Sequence, residues 1–577
     1  MRSSPLLLLV LFLLGYGTFL TAENGRTLAK QPGHGSNNSQ QPQSSSNANQ
    51  EAKVDFRSST ILVQIPVVVV DKNQAPVRNL SKDDFALFEG KKSPKIESFQ
   101  ELSSSRLQYA PIPKTPNTFT NELTRPEAPA GILVFLIDTV NSSFLDQSQG
   151  RRELIRYLAS NLDSNQRVAL VLMDSRGTKV LHDATQDPAE LVQILRKLAG
   201  ELPIEQDLAA VSESPTERLG ADAARLGSLG PYSDLRNFVS GGDVNVARLQ
   251  ENRAIELTLH GLLGISWAVS GIQGRKSLIW LTGGFPFSID ADGAVPGGGL
   301  STLYERALKA TNDAEISIYP VDVRGLRSSS VDYSRAVRYP GWAGAFRPPT
   351  PFDTLREIAA MTGGQAFYNS NDLASCFQRA SADAAHYYLL GYYLDSSNRR
   401  PGWRKLKVTV KRKDVEVRSR SGYFVTNATM NPDLTRKLDM TVALNSSFNS
   451  TGVPFTVRVN RSPEADTPTT NPTEKSDVDF SVRIAGDGIA LATGENSRLD
   501  VDLIAVAFAP SGSEPSGSIL QNIAMSIPKD QLSQLREQGV RYHNKLTLPS
   551  GHYTVRFVVR NNISGQVGSV SGAVVVP

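Results

Sequence analysis

With 577 residues, the chain is too long for one hydrophobic core and divides into roughly three or four domains of ~150 residues. Its 61 Lys and Arg residues against 57 Asp and Glu leave a formal +4, too small an excess to specify a nucleic-acid partner. A single cysteine, Cys376, excludes an intrachain disulfide, so stability rests on the cores; within the helical pattern DLASCFQRA that cysteine reads as buried filler.

Residues 1–22, MRSSPLLLLVLFLLGYGTFLTA, set one Arg before a Leu-rich run and end in small residues near Ala22, the layout of a secretory signal peptide. The alternative is a retained anchor, although the unbroken apolar run is shorter than the ~20 residues of a span. A secreted, periplasmic or cell-envelope location follows, with no transmembrane segment once the signal is removed. Residues 23–55 are Gln, Asn, Ser and Gly with almost nothing apolar, the composition of a disordered tether.

From 56 to 125 the pattern is β: TILVQIPVVVVD, DFALFEG and KIESFQ are short runs bounded by turn residues, and Pro66 places the first at an edge or bulge. A Pro-rich link covers about 110–129. Over 126–385 strands alternate with helices: strands at 131–138, RVALVLMD, SLIWLTGG, ISIYPVDV and QAFY, helices near 149–162, 188–198, 252–269, 301–312, TLREIAAMTG and 373–385. This alternation predicts a doubly wound, Rossmann-like parallel sheet of about six strands, with 203–250 as an irregular insertion. Strands return over 386–424 in HYYLLGYYLD, KLKVTVKR and VEVRSRSGYF. The first β-segment is too small to stand alone, so these are expected to complete its domain. Alternating runs over 433–577 predict a C-terminal β-sandwich, immunoglobulin- or fibronectin-like.

A strand ending in D-x-x-x-S, an amphipathic helix and a later buried LIWLTGG resemble the von Willebrand factor type A (VWA) domain. More closely, LSKDDFALFEGKKSPKIESF, GRKSLIWLTGGFP and YYLLGYYLDSSNRRPGWRKLKVTVKRKDVEVRSRSGYF make residues 56–424 similar to the secreted VWA-related proteins abundant in Acidobacteria. The resemblance implies fold and adhesion-like protein binding. It also implies a metal-ion-dependent adhesion site: a D-x-S-x-S motif, a Thr from a second loop and an Asp in a later T-D-G turn. Here Asp138 and Ser142 match the first Asp and last Ser, Val140 replaces the middle Ser, and Gly283 follows Thr282 where the Asp belongs. One carboxylate and one hydroxyl compensate a hard dication poorly. The site therefore reads as degenerate, with Asn141 and Asp146 as possible substitute ligands and an N-cap role as the alternative for Ser142 or Ser143. No cofactor is expected beyond weakly bound Mg2+ or Mn2+.

Other constellations carry little chemistry. The six histidines are scattered, GISWAVSG lacks the last Gly of a nucleophile elbow, and Asp183 beside His182 reads as a loop ion pair or cap. The basic run 399–420 alternates with Val, as on the solvated face of a hairpin, with a contact to anionic envelope polymer as the sharper alternative; Trp403 reads as packing there. GAVPGGGL at 293–300 reads as a flexible turn. The expectation is thus a non-catalytic binder of a protein or envelope polymer, with no nucleic acid. Its rim comprises Asp138, Asn141, Ser142, Ser143, Thr282, Gly283 and Gly284, and the metal pair is Asp138 and Ser142. Alternatives are an envelope hydrolase and a passive structural component.

Overall fold

The computed structural model describes residues 61–103, 115–123, 131–160, 166–201, 252–272, 274–285, 299–326, 351–394, 402–425, 432–460, 475–492, 497–510 and 514–576. The signal, the tether, the 203–250 insertion and 293–298 of the Gly-rich turn lie outside them. Within them the chain is a mixed α/β protein, rich in strands, built on five sheets.

Three strands open it: β1 (Ile61–Asp71), β2 (Phe85–Glu89) and β3 (Ser98–Ser103). A short β4 (Thr118–Thr120) lies inside the Pro-rich stretch read as a plain link. Next come β5 (Ile132–Asp138), α1 (Phe144–Ser160), β6 (Arg167–Asp174), β7 (Gly177–Thr185), α2 (Pro188–Glu201) and α3 (252–269). Then follow β8 (Lys276–Thr282), α4 (Gly299–Asp313), β9 (Ile316–Asp322), α5 (Pro351–Thr362) and α6 (Leu373–Ala385).

These form a sheet of order β7-β6-β5-β8-β9, parallel except for β7, which turns back as an antiparallel hairpin strand that the sequence reading treats as loop. Every residue of β5, β8 and β9 is buried, as expected where helices cover both faces of a sheet. The period of two divides β5: Leu133, Phe135 and Ile137 pack with α1, α2 and α6, while Ile132, Val134 and Leu136 pack with α3, α4 and α5. QAFY contributes one bridge, Phe367 to Val321, instead of a full strand. Helix α1 starts at Phe144 because Ser143 and Asp146 cap it, five residues before the apolar period becomes visible.

The chain then re-enters the first domain. Strand β10 (His386–Leu394) pairs with β1 and β3, β12 (Val415–Ser419) with β1, and β11 (Gly402–Val410) with β2 and β13 (Gly422–Val425). Residues 61–103 and 386–425 therefore share ladders around one core that includes Ile65, Val67, Leu87, Tyr388, Leu390 and Leu406. Pro66 sits where β12 has not yet begun to pair with β1, so its missing N–H breaks no ladder there. The basic run is not wholly solvated: Arg418 and Arg420 are buried, and Arg418 pairs with Asp383 at 2.8 Å.

The remaining elements are α7 (Pro432–Asn445), β14 (Phe455–Asn460), β15 (Lys475–Ile484), β16 (Ser497–Phe508), β17 (Pro515–Ile527), α8 (Leu532–Gln538), β18 (Val540–Pro549), β19 (Gly551–Asn561) and β20 (Val567–Val576). Sheets β18-β15-β14-β4 and β17-β16-β19-β20 face each other across a common core, β4 lending an edge strand from more than 300 residues upstream. Helix α7 joins this unit to the α/β part: buried Asp439 accepts from Arg306 of α4 at 2.7 and 2.9 Å and from Arg560 of β19 at 2.9 Å.

Candidate functional site

The C-terminal ends of β5 and β8 are adjacent, because the two strands pair in parallel. Their loops meet around Asp138, which is 1% exposed. Oδ1 accepts the backbone N–H groups of Val140 and Asn141, each at 2.9 Å. Oδ2 accepts Asn141 Nδ2 at 2.8 Å, the Trp280 indole at 2.9 Å and the Thr282 hydroxyl at 2.9 Å. Five donors thus converge on a carboxylate that has about four lone-pair sites. Asn141 Nδ2 also reaches Thr258 of α3 at 3.0 Å, and Gly283 N donates to Ser142 Oγ at 2.8 Å, so the two loops are clasped directly. The Thr282 hydroxyl lies within hydrogen-bond distance of two acceptors, Asp138 Oδ2 and Gly284 O at 2.8 Å, and its single proton serves one of them at a time.

Six of the seven rim residues expected from sequence meet in this knot. Ser143 stands outside: its hydroxyl donates to Asp146 Oδ2 at 2.7 Å and accepts from Asp146 N, so the pair caps α1 and Asp146 is no substitute ligand. Trp280 and Thr258 are functional partners that sequence reasoning passes over. The signal for Trp280 was its polar N–H in a fully buried strand, two residues before Thr282 and so on the same face. Thr258 offers no comparable signal.

Burial raises the Asp138 carboxyl above its ordinary value, while the hydrogen bonds of Asn141, Thr282 and Trp280 pull it down. The resemblance implies a divalent cation here, and the residues do not fit one. The carboxylate lone pairs are taken by N–H and O–H groups, Val140 has no side-chain oxygen, and the Ser142 oxygen accepts Gly283 N. Gly283 closes the case sterically: a Cβ there would lie 2.7 Å from Asn141 O, so an Asp at this position requires the loops to part. The acids ending the neighbouring strands are likewise engaged. Asp174 accepts Arg176 N at 2.8 Å, and Asp322 accepts Arg324 N at 3.0 Å and Arg324 Nε at 2.8 Å.

Around this closed knot the rim is apolar and exposed. Leu145 is 74% exposed and Leu326 65%, with Phe144 and Tyr368 above 40%. Leu326 follows β9, and its N–H donates to Asn371 Oδ1 at 2.9 Å, which ties that loop to the start of α6. Gln149 of α1 lies beside Gly325, so the loops after β5 and β9 are neighbours.

No family model matches the chain, and no curated protein matches it. Among solved structures it is similar to one described as the crystal structure of the TFIIH p34 N-terminal domain. That match has 13% identity, covers 40% of this chain and 96% of that chain, and has a TM-score of 0.17, a level on which no argument rests.

Proposed function

We propose that this is an exported, non-catalytic binding protein. Its doubly wound part is a VWA-type domain between immunoglobulin- or fibronectin-like β-sandwiches, and it holds a protein or envelope polymer at the rim above β5, β8 and β9 without a divalent cation. The observation that carries the reading is the pairing of exposed Leu145, Phe144 and Leu326 with loops clasped by the saturated Asp138 carboxylate. Isolated exposed hydrophobics are ordinary, but several on a helix start and a neighbouring loop at the strand C-terminal end of an α/β sheet mark a contact surface. A rigid support lowers the ordering cost of binding there.

A hydrolase reading needs a free nucleophile beside a base. The hydroxyls of Ser142 and Thr282 are instead engaged with Gly283 N, Gly284 and Asp138.

The test is saturable retention of the full chain on an isolated envelope fraction, with and without EDTA. Leu145→Asp and Leu326→Asp are expected to lose retention while their unfolding free energies stay within the range of ordinary surface substitutions, about 0.5 kcal/mol. Retention unchanged in both variants, or abolished by EDTA, contradicts the reading.

A further inference from the structure

Among the described residues, the outer edges of the five sheets are blunted in all cases but one. Strands β12, β3, β7 and β18 carry charged side chains such as Glu416, Glu101, Lys179 and Lys545, while β2, β13 and β4 have five residues or fewer. On its outer side β9 exchanges hydrogen bonds with Phe367, and β20 with Ser450 and Val453. These are the ordinary means of keeping a sheet from adding further strands. Strand β17 uses none of them. Its 13 residues, PSGSILQNIAMSI, hold no charge, and Pro515 and the register shift beside it are confined to the start. It pairs with β16 alone, and from Ser518 to Ser526 every residue is exposed except half-buried Ile519 and Ile523. Leu520 is 61% exposed and Met525 42%.

The pairing fixes which main-chain groups face out. The Asp500 carbonyl accepts Asn562 N at 2.9 Å, just past the end of β19, so the even-numbered residues of β16 address β19 and the odd-numbered ones address β17. Val501 stands opposite Ile523, which makes the odd-numbered residues of β17 the ones bonded to β16. Ser518, Leu520, Asn522, Ala524 and Ser526 therefore turn their N–H and C=O groups toward the open edge. There Asn522 O meets the Gln521 amide of its own strand at 3.0 Å. The five residues are placed symmetrically about Asn522.

We propose that β17 is the docking edge for a second copy of this chain, the two strands pairing antiparallel about a twofold axis at Asn522. The axis stands normal to the sheet, so each face continues into the same face of the second copy. In this register Leu520 faces Ala524 of the second copy and Ser518 faces Ser526, each pair exchanging two main-chain bonds; between them Ile519 meets Met525 and Gln521 meets Ile523. No like charges are brought together, because the strand has none. Five such pairs supply about ten hydrogen bonds, the number of an ordinary interface. A ladder ~30 Å long and ~10 Å deep buries on the order of 600 Å2 in total, below the ~1,000 Å2 of stable complexes, so the dimer is weak and reversible. The edge is its own complement in length, symmetry and charge, which favours a second copy over a strand from another protein. This surface is separate from the rim and does not depend on the function proposed for it.

Sedimentation velocity of the full chain from ~1 to ~100 µM is expected to show reversible monomer–dimer exchange within that range. Ala524→Pro removes an N–H that faces the open edge, where proline is tolerated, so it is expected to weaken dimerisation about tenfold or more with little change in melting temperature. A chain carrying Leu520→Lys and Ala524→Lys sets lysine opposite lysine and is expected to stay monomeric. Mixed with a chain carrying Leu520→Glu and Ala524→Glu it should form a heterodimer, because positions 520 and 524 oppose each other in the register about Asn522. An unsubstituted chain that stays monomeric at ~100 µM leaves the edge to a strand of some other protein and overturns the proposal. Dimerisation undiminished in the proline and lysine variants, or no association between the lysine and glutamate chains, overturns it equally.

Discussion

The two ends of the central sheet handle buried charge in opposite ways. At the C-terminal end one carboxylate, Asp138, is compensated by five neutral donors and needs no counter-ion. At the N-terminal end Arg275, Lys276 and Arg420 are buried, and Arg275 leaves Nε and Nη1 unmet even though Tyr319 and the Gly363 carbonyl accept from its Nη2 at 2.8 and 3.1 Å. In an open α/β sheet the ligand is ordinarily sought at the strand C-terminal ends. Here that end is internally satisfied and offers only its apolar rim, whereas unmet polar groups gather at the other.

The largest effect should come from breaking the satisfied end. Asp138→Ala strands five donors in a buried site and is expected to cost on the order of 3–5 kcal/mol, read from chemical denaturation, because unmet buried donors cost ~1–3 kcal/mol each and water can meet some of them. Asp138→Asn keeps the volume but turns an amide N–H2 toward Asn141, Trp280 and Thr282. An amide N–H2 cannot accept from Asn141 Nδ2 or Trp280 Nε1, so a loss close to that of Ala is expected, and wild-type stability of the Asn variant would show that those donors do not need the carboxylate. The raised native value has a definite sign. Between the ordinary carboxyl pKa and the raised one, the native state binds a proton that the unfolded state lacks, so this group's contribution falls as pH rises through that window.

The uncompensated end gives the next prediction. Burial lowers Lys276 from 10.5 to about 8, against the opposing pull of Glu315. Below pH 8 both states are protonated and the buried charge is a burden. From about 8 to 10.5 the unfolded state holds the proton and the native state does not, so stability rises with pH by about 3 kcal/mol from this residue alone. Lys276→Met should be more stable than the unsubstituted chain at pH 7, and that advantage should disappear by pH 10.5. A gap that stays constant across the window means Lys276 is not the group responsible.

Much of this architecture is legible because hydrophobic period is a local signal. Strand β5 reads as a buried parallel strand from its unbroken apolar run, and Asp138 stands out as the acid that stops it. What stays hidden depends on partners distant in sequence. The three residues of β4 carry no readable period, and their ladder with β14 lies more than 300 residues away. Arg418 and Arg420 belong to a basic run whose alternation with Val suggests solvent, but the β-domain folds that face against the α/β part and buries both. At position 283 the sequence reveals a missing Asp; only geometry reveals that Asn141 O occupies the space a side chain would need.

A smaller change probes how evenly the five donors share the load at Asp138. Trp280→Phe removes one of them, and Asp138 Oδ2 keeps Asn141 and Thr282. The expected loss is ~1–2 kcal/mol, a hydrogen bond to a charged group, with the ring contact to Phe285 at 5.6 Å kept. A loss equal to that of Asp138→Ala would make the indole the keystone of the rim.

The smallest expected effect is no effect. An ion bound only by the native state raises the unfolding free energy by RT ln(1 + [L]/Kd), ~2.7 kcal/mol at a hundredfold excess over Kd, so even weak occupancy of the rim is measurable at millimolar Mg2+ or Mn2+. To enter, the ion must displace N–H donors from Asp138 without gaining an oxygen from Val140 or a charge from Gly283. Melts with EDTA, Mg2+ and Mn2+ are therefore expected to overlay. Val140→Ser, which restores a hydroxyl, should leave them overlaid, because the Cβ an Asp at 283 needs still meets Asn141 O at 2.7 Å. A saturable upshift with Mn2+ in the unsubstituted chain would mean that the clasp opens to admit a cation, and the contrast between the two ends of the sheet would no longer hold.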